Sequence, residues 1–472
     1  MPVLKREGRQ RQLLLSGSRV VVVGAGVSGL WGSLFLASMG AEVVLTDEAP
    51  ESRLDQEMLQ KVKDKGVRVE AGGHGLDKLD TILRADLVVV SPGVPLDIDI
   101  LNRARQNGIE IIGELELASR FIDEPIIAIT GTNGKTTVTT MLAQVLERAG
   151  RSVFVGGNIG NPLSAYLAAR DGGQLASMAD YVVAEVSSFQ LETIEEFSPK
   201  VAVILNIALD HQDRHSSFED YVEAKYRIFK NMGPGCYAVV NLPSLPKPLS
   251  LPKGTSRLAY GTKRQGDLNA WLEGGEIRVT LPGSKTYTFS HAGFALSGRH
   301  NLENLMAVIL VSLVLGVEPP LIQEMISEFK PLPHRLEYVA EVRGVRFYDD
   351  SKATNVDAVV RALEGFDSPV LLIAGGLDKE ADFLPLKEAC RHKVKVVVTL
   401  GEAKEKLKAS LSQVIQTIDA TSMEDAVTKA FKMAHSGDVV LLSPACASFD
   451  MFLNYHERGE AFKRAVKGLA YE

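Results

Sequence analysis

The residues whose spacing most clearly suggests chemistry are "AITGTNGKTT", residues 128–137. An apolar run precedes the glycines and a helix-like run follows them, and in this order backbone N–H groups and a helix N-terminus form a phosphate cradle. Lys135 would reach the β- and γ-phosphates of a nucleotide, and the hydroxyl of Thr136 would bind Mg²⁺, with Thr137 as a weaker candidate. Ile129 departs from the strict pattern, which has glycine there, so a glycine-rich helix cap is the alternative. We favour phosphate binding.

Two further side chains follow neighbouring apolar runs. Glu185 ends the run "YVVAE", where a carboxylate is either held structurally or binds Mg²⁺. His211 follows "VAVILNI" in the stretch "LDHQDRH". Ligands bind outside the carboxyl ends of strands in open α/β sheets, so these residues and the phosphate loop are predicted to converge. A single histidine is more often structural, so His211 alone is a weak signal.

Lys225 lies within an apolar helical stripe in "SSFEDYVEAKYRIFKN", between Tyr221 and Ile228. On this pattern alone, the favoured interpretation is a lysine whose stem packs while its amine reaches water.

Another glycine turn, the first along the chain, lies in "VVVVGAGVSGL", residues 20–30. Gly24, Gly26 and Gly29 fit the fingerprint of a turn that binds a dinucleotide pyrophosphate. Asp47 ends the next apolar run, where a nicotinamide-dependent enzyme would hold a ribose. This turn alone would favour a nicotinamide-dependent oxidoreductase. That interpretation does not explain the phosphate loop.

The elements that must position these residues alternate between strand-like and helix-like runs, which predicts parallel sheets covered by helices. Residues 232–292 are instead rich in turns and short strands, and we expect a small antiparallel appendage there. The two prolines of "KPLPHRLE" indicate a linker. The sequence therefore predicts an α/β protein with a Rossmann-like N-terminal domain, a central ATPase-type α/β domain with the appendage, and a Rossmann-like C-terminal domain, at residues 1–120, 121–331 and 332–472.

Composition excludes several classes of protein. The chain of 472 residues is 45% hydrophobic and carries a formal net charge of −7, so the basic stripe of a nucleic-acid-binding protein is not expected. Its three cysteines are far apart and odd in number, which favours a reducing compartment. The uncharged run Val20–Ala41 could suggest a membrane segment, but glycines interrupt it. We expect a cytoplasmic monomer that binds neither membrane nor nucleic acid.

Motifs spread over nearly the whole chain resemble the Mur ligases of peptidoglycan synthesis. They are, in order, "AITGTNGKTT", "GGNIGNP", "AEVSSFQLE", "LDHQDRH", "EAKYRIF", "HNLENLMA", "PHRLE", "DDSKATNVDA" and "SPACASFDMFLNYHERGEAF". The resemblance implies an ATP-dependent amide ligase that proceeds through an acyl phosphate and uses Mg²⁺, expected as two ions. "DSKATN" and "SPACASFD" resemble the branch that adds D-glutamate to UDP-N-acetylmuramoyl-L-alanine. A sister ligase, a folylpolyglutamate synthase-type ligase and an inactive binding protein remain alternatives.

The resemblance also implies roles for individual residues. It implies that Lys225 carries a CO₂-derived carbamate, which reverses the interpretation drawn from the helical pattern. It assigns Lys135, Glu185, His211, Lys225 and Lys352 to catalysis. It places Mg²⁺ at Thr136, Glu185, His211 and carbamylated Lys225. It places ATP at Gly131, Thr132, Asn133, Gly134, Lys135, Thr136, Thr137, Asn304, Arg335 and Asp350. It places the UDP substrate at Gly26, Val27, Ser28, Asp47, Ser91, Gly93 and Asn158, and D-glutamate at Lys352, Thr354, Lys379, Ser448 and Phe449.

Overall fold

The structure is a computed structural model that describes residues 15–73, 79–171, 178–210, 214–264, 266–296, 298–330, 333–378 and 382–469. Within these ranges, three β-sheets follow one another along the chain and are covered by helices. This arrangement confirms the predicted three-part α/β fold. The expected domain boundaries near residues 120 and 332 remain predictions.

The first sheet has the strand order β3-β2-β1-β4-β5, and all its strands are parallel. Its strands are β1 Arg19–Val23, β2 Glu42–Thr46, β3 Arg68–Glu70, β4 Leu87–Val90 and β5 Glu110–Gly113. Its helices are α1 Val27–Ser38, α2 Gln56–Asp64, α3 Leu79–Leu83, α4 Asp99–Gln106 and α5 Glu114–Ser119, with a 3₁₀ turn at Glu51–Arg53. The uncharged run that resembled a membrane segment is therefore β1, a glycine turn and a helix of 12 residues. Within the described ranges, no helix combines the length and apolar character needed to cross a membrane.

The second sheet has nine strands in the order β14-β13-β12-β11-β10-β9-β6-β8-β7. Its strands are β6 Ile126–Thr130, β7 Val153–Gly157, β8 Tyr181–Glu185, β9 Val201–Ile204, β10 Tyr237–Asn241, β11 Ser256–Tyr260, β12 Ala270–Glu273, β13 Glu276–Thr280 and β14 Thr286–Ser290. Its helices are α6 Lys135–Arg148, α7 Leu163–Asp171, α8 Ser188–Leu191, α9 Phe218–Tyr226, α10 Arg299–Val314 and α11 Pro319–Glu328, with 3₁₀ turns at Arg227–Phe229 and Leu242–Ser244.

The expected antiparallel appendage is smaller than residues 232–292. Strands β10 and β11 instead continue the parallel sheet, because β10 pairs in parallel with both β9 and β11. Among the described residues of this sheet, only β12, β13 and β14 pair antiparallel, through short connections that include Gly274 and Gly275 at positive φ. The prolines and glycines of this region gave no information on strand direction, which depends on the pairing partner.

The third sheet has the order β15-β16-β20-β17-β18-β19 and is parallel except for the β15–β16 pair. Its strands are β15 Glu337–Val342, β16 Val345–Asp349, β17 Val370–Gly375, β18 Val394–Leu400, β19 Gln416–Asp419 and β20 Val439–Leu442. Its helices are α12 Val356–Glu364, α13 Leu384–Lys393, α14 Lys404–Leu411, α15 Met423–Met433 and α16 Tyr455–Leu469.

Packing between α6 and α10 fixes the phosphate loop. Val138, Met141 and Val145 of α6 share a buried cluster with Leu305 and Ile309 of α10. Burial of their apolar surface stabilises the fold by about 25 cal/mol per Å². The start of α6 is therefore held at a fixed distance from the first turn of α10, where several polar residues of the site lie.

Candidate active site

The phosphate loop connects β6 to α6 and requires glycine at its last position. Gly134 caps α6 with a φ of 85°, a conformation that side chains rarely adopt. A Cβ atom there would also lie 2.5 Å from Oδ1 of Asn304 on α10. The predicted strand–loop–helix context is confirmed, and the backbone of the loop packs directly against Asn304.

The amine of Lys135 folds back over the loop. Its Nζ donates to the carbonyl oxygens of Gly131 and Thr132, each at 2.9 Å. Burial lowers the pKa of Lys135, and the negative charges of Glu185 and Asp210 partly oppose this effect. The amine thus lies within the loop itself. A phosphate bound in the loop would take the place of these carbonyl groups as the hydrogen-bond partner of the amine.

Glu185 lies at the carboxyl end of β8 and is only 2% exposed. Its two carboxylate oxygens accept hydrogen bonds from Thr136 Oγ1 and Asn158 Nδ2, both at 2.8 Å. A buried carboxylate beside a hydroxyl is a donor set that suits a hard cation such as Mg²⁺. The structure therefore brings Thr136, Glu185 and Asn158 together, whereas His211 lies outside the described residues.

Lys225 is buried in α9 with 2% exposure, so its amine does not reach water. Its Nζ donates to Gly131 O at 3.0 Å and lies 4.6 Å from the ring centre of Tyr221. Burial and the nearby charge of Lys135 hold the pKa of Lys225 well below its ordinary value. The interpretation of a lysine that extends to solvent is therefore wrong, because Tyr221 and the phosphate loop enclose the amine.

Two residues that were not predicted from the sequence also hold the loop. Asn206 accepts from Asn133 N at 2.9 Å and donates to Asn133 O at 3.0 Å. The hydroxyls of Tyr221 and Thr132 are 3.1 Å apart. Asn206 comes shortly after β9, so the rule that sites lie at the carboxyl ends of parallel strands could have identified it.

The third sheet contributes a cluster of charged groups. Asp350 accepts from Ser443 Oγ at 2.9 Å and from Leu336 N at 3.2 Å, and burial raises the pKa of its carboxyl to about 7. Burial lowers the pKa of Lys352 to about 8 and also lowers the pKa of Arg335. The positive charge of Arg335 contributes to the lowered pKa of Lys352.

A cavity of about 640 Å³ joins these charged groups to the phosphate loop. The central sheet and the third sheet both supply its lining. The predicted site residues that line it are Thr132, Asn133, Gly134, Lys135, Thr136, Thr137, Asn158, Glu185, Asn304, Arg335, Asp350, Lys352 and Thr354.

The remaining residues predicted to bind D-glutamate are placed differently. Ser448 is buried, Phe449 is 66% exposed, and neither lines the cavity. Lys379 lies outside the described residues. The aromatic ring that meets the cavity lysine is Tyr455, whose centre is 3.8 Å from Lys352 Nζ. Tyr455 was not predicted from the sequence.

The first glycine turn is built by contacts from neighbouring strand ends. A Cβ atom on Gly29 would lie 1.8 Å from Gly24 O, so α1 approaches the turn more closely than any side chain permits. Asp47 accepts from Ala25 N at 2.6 Å, and Ser91 Oγ donates to Gly24 O at 2.7 Å. Two residues predicted to contact the UDP substrate therefore brace the turn.

The open side of this turn carries the other predicted residues. Val27 is 58% exposed and Gly93 is exposed. A Cβ atom on Gly26 would meet no atom within 4 Å. Gly26, Val27, Ser28 and Gly93 thus leave room above the N-terminus of α1, where an anionic group is stabilised.

Family models match the chain in three consecutive regions. Residues 18–113 match the MurD-like N-terminal domain of Mur ligases, residues 129–312 the Mur ligase middle domain, and residues 334–446 the Mur ligase glutamate ligase domain. A relative from Geotalea daltonii, named UDP-N-acetylmuramoylalanine–D-glutamate ligase, is 44% identical over 97% of this chain and 98% of its own. A relative of the same name from Desulfosudis oleivorans is 45% identical over 96% of each chain.

The chain belongs to the Mur ligase family.

Solved structures agree with the fold of this Mur ligase. A pseudomurein peptide ligase type C from Methanothermus fervidus aligns over 96% of this chain and all of its own, with a TM-score of 0.59 at 18% identity. A UDP-N-acetylmuramate-alanine ligase from Thermotoga maritima aligns over 96% of this chain and 99% of its own, with a TM-score of 0.56 at 20% identity. The expected Mur ligase resemblance and fold class are therefore confirmed.

Proposed function

We propose that this Mur ligase uses ATP to join D-glutamate to UDP-N-acetylmuramoyl-L-alanine in peptidoglycan precursor synthesis. Near full-length relatives with 44% and 45% identity are named for this reaction. The structural observation that carries the proposal is the single cavity shared by the phosphate loop and the cationic cluster of Arg335 and Lys352. A nucleotide and a dicarboxylic amino acid can meet there.

In the first step, the alanyl carboxylate of the UDP substrate attacks the γ-phosphorus of ATP. The bond from this phosphorus to the β,γ-bridging oxygen breaks. ADP is released, and the substrate carboxylate becomes an acyl phosphate. Lys135 and Arg335 neutralise the transferring phosphoryl group, and Thr132 to Thr137 orient the phosphates through backbone N–H groups. Asn304 and Asp350 hold the nucleoside part.

Mg²⁺, when bound, would neutralise phosphate charge and polarise the phosphoryl oxygens. Thr136 and Glu185 are the described residues that would hold it, with His211 and modified Lys225 as the other proposed ligands. Asn158 orients Glu185 through its hydrogen bond to Oε1. It is also proposed to face the muramoyl end of the UDP substrate.

In the second step, the neutral amine of D-glutamate attacks the acyl carbon to give a tetrahedral intermediate, which releases inorganic phosphate and one proton. Lys352 and Lys379, with Thr354 and Ser448, bind the carboxylates of D-glutamate. A contact of Phe449 with D-glutamate is proposed from the resemblance alone, because the residue is 66% exposed in the structure. Tyr455 is the aromatic residue whose ring lies against the Lys352 amine in the structure.

The UDP part of the substrate is proposed to bind at the first glycine turn. Its pyrophosphate would approach Gly26, Val27 and Ser28 at the N-terminus of α1. Asp47 and Ser91 would face the same ligand while they brace the turn. This assignment replaces the nicotinamide cofactor that the glycine pattern alone suggested.

Lys225 is proposed to act as a carbamate. Its neutral amine would attack CO₂, forming an N–C bond and releasing one proton, so an uncharged group becomes an anionic oxygen ligand. Its burial and the neighbouring charge of Lys135 favour the neutral amine that this reaction needs.

We further propose that the enzyme works as a cytoplasmic monomer with free cysteines and without nucleic acid.

The experiment that tests the function is a ligation assay with ATP, UDP-N-acetylmuramoyl-L-alanine and a panel of amino acids. Mass spectrometry identifies the product and a phosphate assay gives the rate. D-glutamate should be the preferred amino acid, with one phosphate released per product. Preference for another amino acid would assign the enzyme to a sister activity, and absence of any ligation would refute the proposal.

A further inference from the structure

A carboxylate on α12 spans the cavity to the phosphate loop. Asn133 Nδ2 donates to Asp357 Oδ2, and Arg361 Nε donates to the same oxygen at 2.8 Å. Asp357 and Asn133 both line the cavity, although they belong to the third and second matched regions of the chain. The loop proposed to bind ATP is thus bonded directly to the part of the chain proposed to bind D-glutamate.

The bond to Asp357 acts on a residue whose backbone is already fixed. Asn206 binds both the N–H and the carbonyl of Asn133, which determines where the loop runs. The side-chain amide of Asn133 is then oriented by Asp357. Central-domain contacts therefore set the path of the loop, and the α12 contact sets the direction of its side chain.

A second hydrogen bond supports the same geometry. Asn355 Nδ2 donates to Asp210 Oδ2 at 3.0 Å, while Asn355 Oδ1 caps α12 by accepting from Ala358 N at 2.8 Å. The first turn of α12 therefore contacts two loops of the central domain. One is the phosphate loop, and the other leads to the proposed metal ligand His211.

Charge explains why Asp357 is suited to positioning rather than to direct contact with ATP. An isolated carboxylate would repel the phosphates, but Arg361 forms an ion pair with Asp357 that is about three-quarters buried on both sides. With this pairing, the carboxylate can serve as an acceptor for Asn133 at little electrostatic cost to a bound nucleotide.

We propose that Asp357 is a positioning residue for the ligase reaction, which orients the phosphate loop through Asn133 and thereby couples ATP binding to docking of α12. The inference rests on the proposed function, since it assumes that ATP occupies this loop. It assigns Asp357 no contact with the reacting atoms. The effect of altering it should therefore fall on ATP more than on the UDP substrate.

The first test compares Asp357→Ala with the wild-type enzyme in the full ligation assay. The KM for ATP should rise about tenfold or more, as expected when a hydrogen bond to a charged group is lost. The KM for the UDP substrate and the melting temperature should stay close to wild type. Asp425 provides the matched control, because it forms an ion pair with Lys429 at the same spacing and the same 2.8 Å distance elsewhere in the third region. Asp425→Ala should leave every KM unchanged.

The second test exchanges the two partners and does not depend on Asp357→Ala remaining folded. Asn133→Asp places two carboxylates against each other and should raise the KM for ATP more than Asn133→Ala does. The double variant, with Asn133→Asp and Asp357→Asn, again has one donor and one acceptor. Its KM for ATP should therefore return part of the way to the wild-type value. Such non-additivity is the signature of a direct interaction.

Any of three outcomes would overturn the inference. The first is a wild-type KM for ATP in Asp357→Ala, and the second is an exchange variant whose defects simply add. The third is a uniform loss that follows a lowered melting temperature, which would show a purely structural role. If the wild-type enzyme fails to ligate, the proposed function fails instead, and the two failures are distinguished by that single control.

Discussion

Lys225 and Lys135 point their amines at the same carbonyl oxygen. Lys225 Nζ lies 3.0 Å from Gly131 O, and Lys135 Nζ lies 2.9 Å from it. Two ammonium groups on one acceptor repel each other, and the charge of Lys135 contributes to lowering the pKa of Lys225. Conversion of one amine into an anion would replace this repulsion with attraction.

The first prediction concerns Lys225. Lys225→Ala should fold yet lose most of its turnover, and acetate or formate should partly restore it by supplying a carboxylate in the vacated space. Lys225→Arg should be inactive and not rescued, because a guanidinium stays protonated and forms no carbamate. Carbon-13 NMR with labelled bicarbonate provides a readout other than activity, since a carbamate signal should appear in wild type alone. An active Lys225→Arg enzyme would refute the carbamate.

The second prediction concerns Lys135. Lys135→Ala should lower kcat by on the order of 10² or more, because the amine is proposed to neutralise charge that develops on the phosphoryl group. The affinity for the UDP substrate, measured by calorimetry, should change little, since that substrate is proposed to bind mainly at the first glycine turn. Lys61→Ala on the exposed face of α2 serves as the control. Turnover of Lys135→Ala within a few fold of wild type would remove its role.

The third prediction concerns the first glycine turn. Gly26 has open space where a side chain would project, so Gly26→Val should fold. The added methyl groups would occupy the place of the pyrophosphate and weaken binding of the UDP substrate. In thermal shift measurements, the UDP substrate should raise the melting temperature of wild type more than that of Gly26→Val, because a ligand stabilises the state that it binds. NAD should not change the melting temperature of either protein. A rise in melting temperature with NAD alone would refute UDP-substrate binding at this turn.

The fourth prediction concerns pH. Burial lowers the pKa of Lys352 to about 8, so its positive charge is present below pH 8 and is lost as the pH rises through that value. At saturating ATP and UDP substrate, kcat/KM for D-glutamate should therefore fall above about pH 8, since it reports the ionisation of the enzyme form that binds D-glutamate. In Lys352→Arg this falling limb should move to higher pH, because arginine remains charged. An unchanged limb would show that another group causes it.

The sequence was most informative where a residue type and the end of a strand coincide. Thr136 and Glu185 could be placed together because β6 and β8 are adjacent and parallel, so their carboxyl ends meet at one edge. Strand direction in β10 and β11 could not be read, since turn residues there do not determine which strand is the partner.

The sequence was least informative about contacts that bring distant segments together. Helical spacing placed Lys225 on an apolar stripe but gave no information on what covers its amine, which depends on the phosphate loop and Tyr221. Asp357 was not predicted from the sequence, because its partner Asn133 lies in a different region of the chain. Phe449 illustrates the reverse problem, since its neighbours in a motif do not show that its ring faces solvent.

The central claim is that an acyl phosphate links ATP cleavage to addition of D-glutamate, and oxygen transfer tests it most directly. UDP-N-acetylmuramoyl-L-alanine labelled with ¹⁸O in its carboxylate is incubated with enzyme, ATP and D-glutamate, and the released phosphate is analysed by mass spectrometry. Each released phosphate should carry one carboxylate oxygen, because the bond from that oxygen to the acyl carbon breaks when the amine displaces phosphate. L-glutamate should give little product or labelled phosphate. Product formed from D-glutamate with no label in the phosphate would contradict the account.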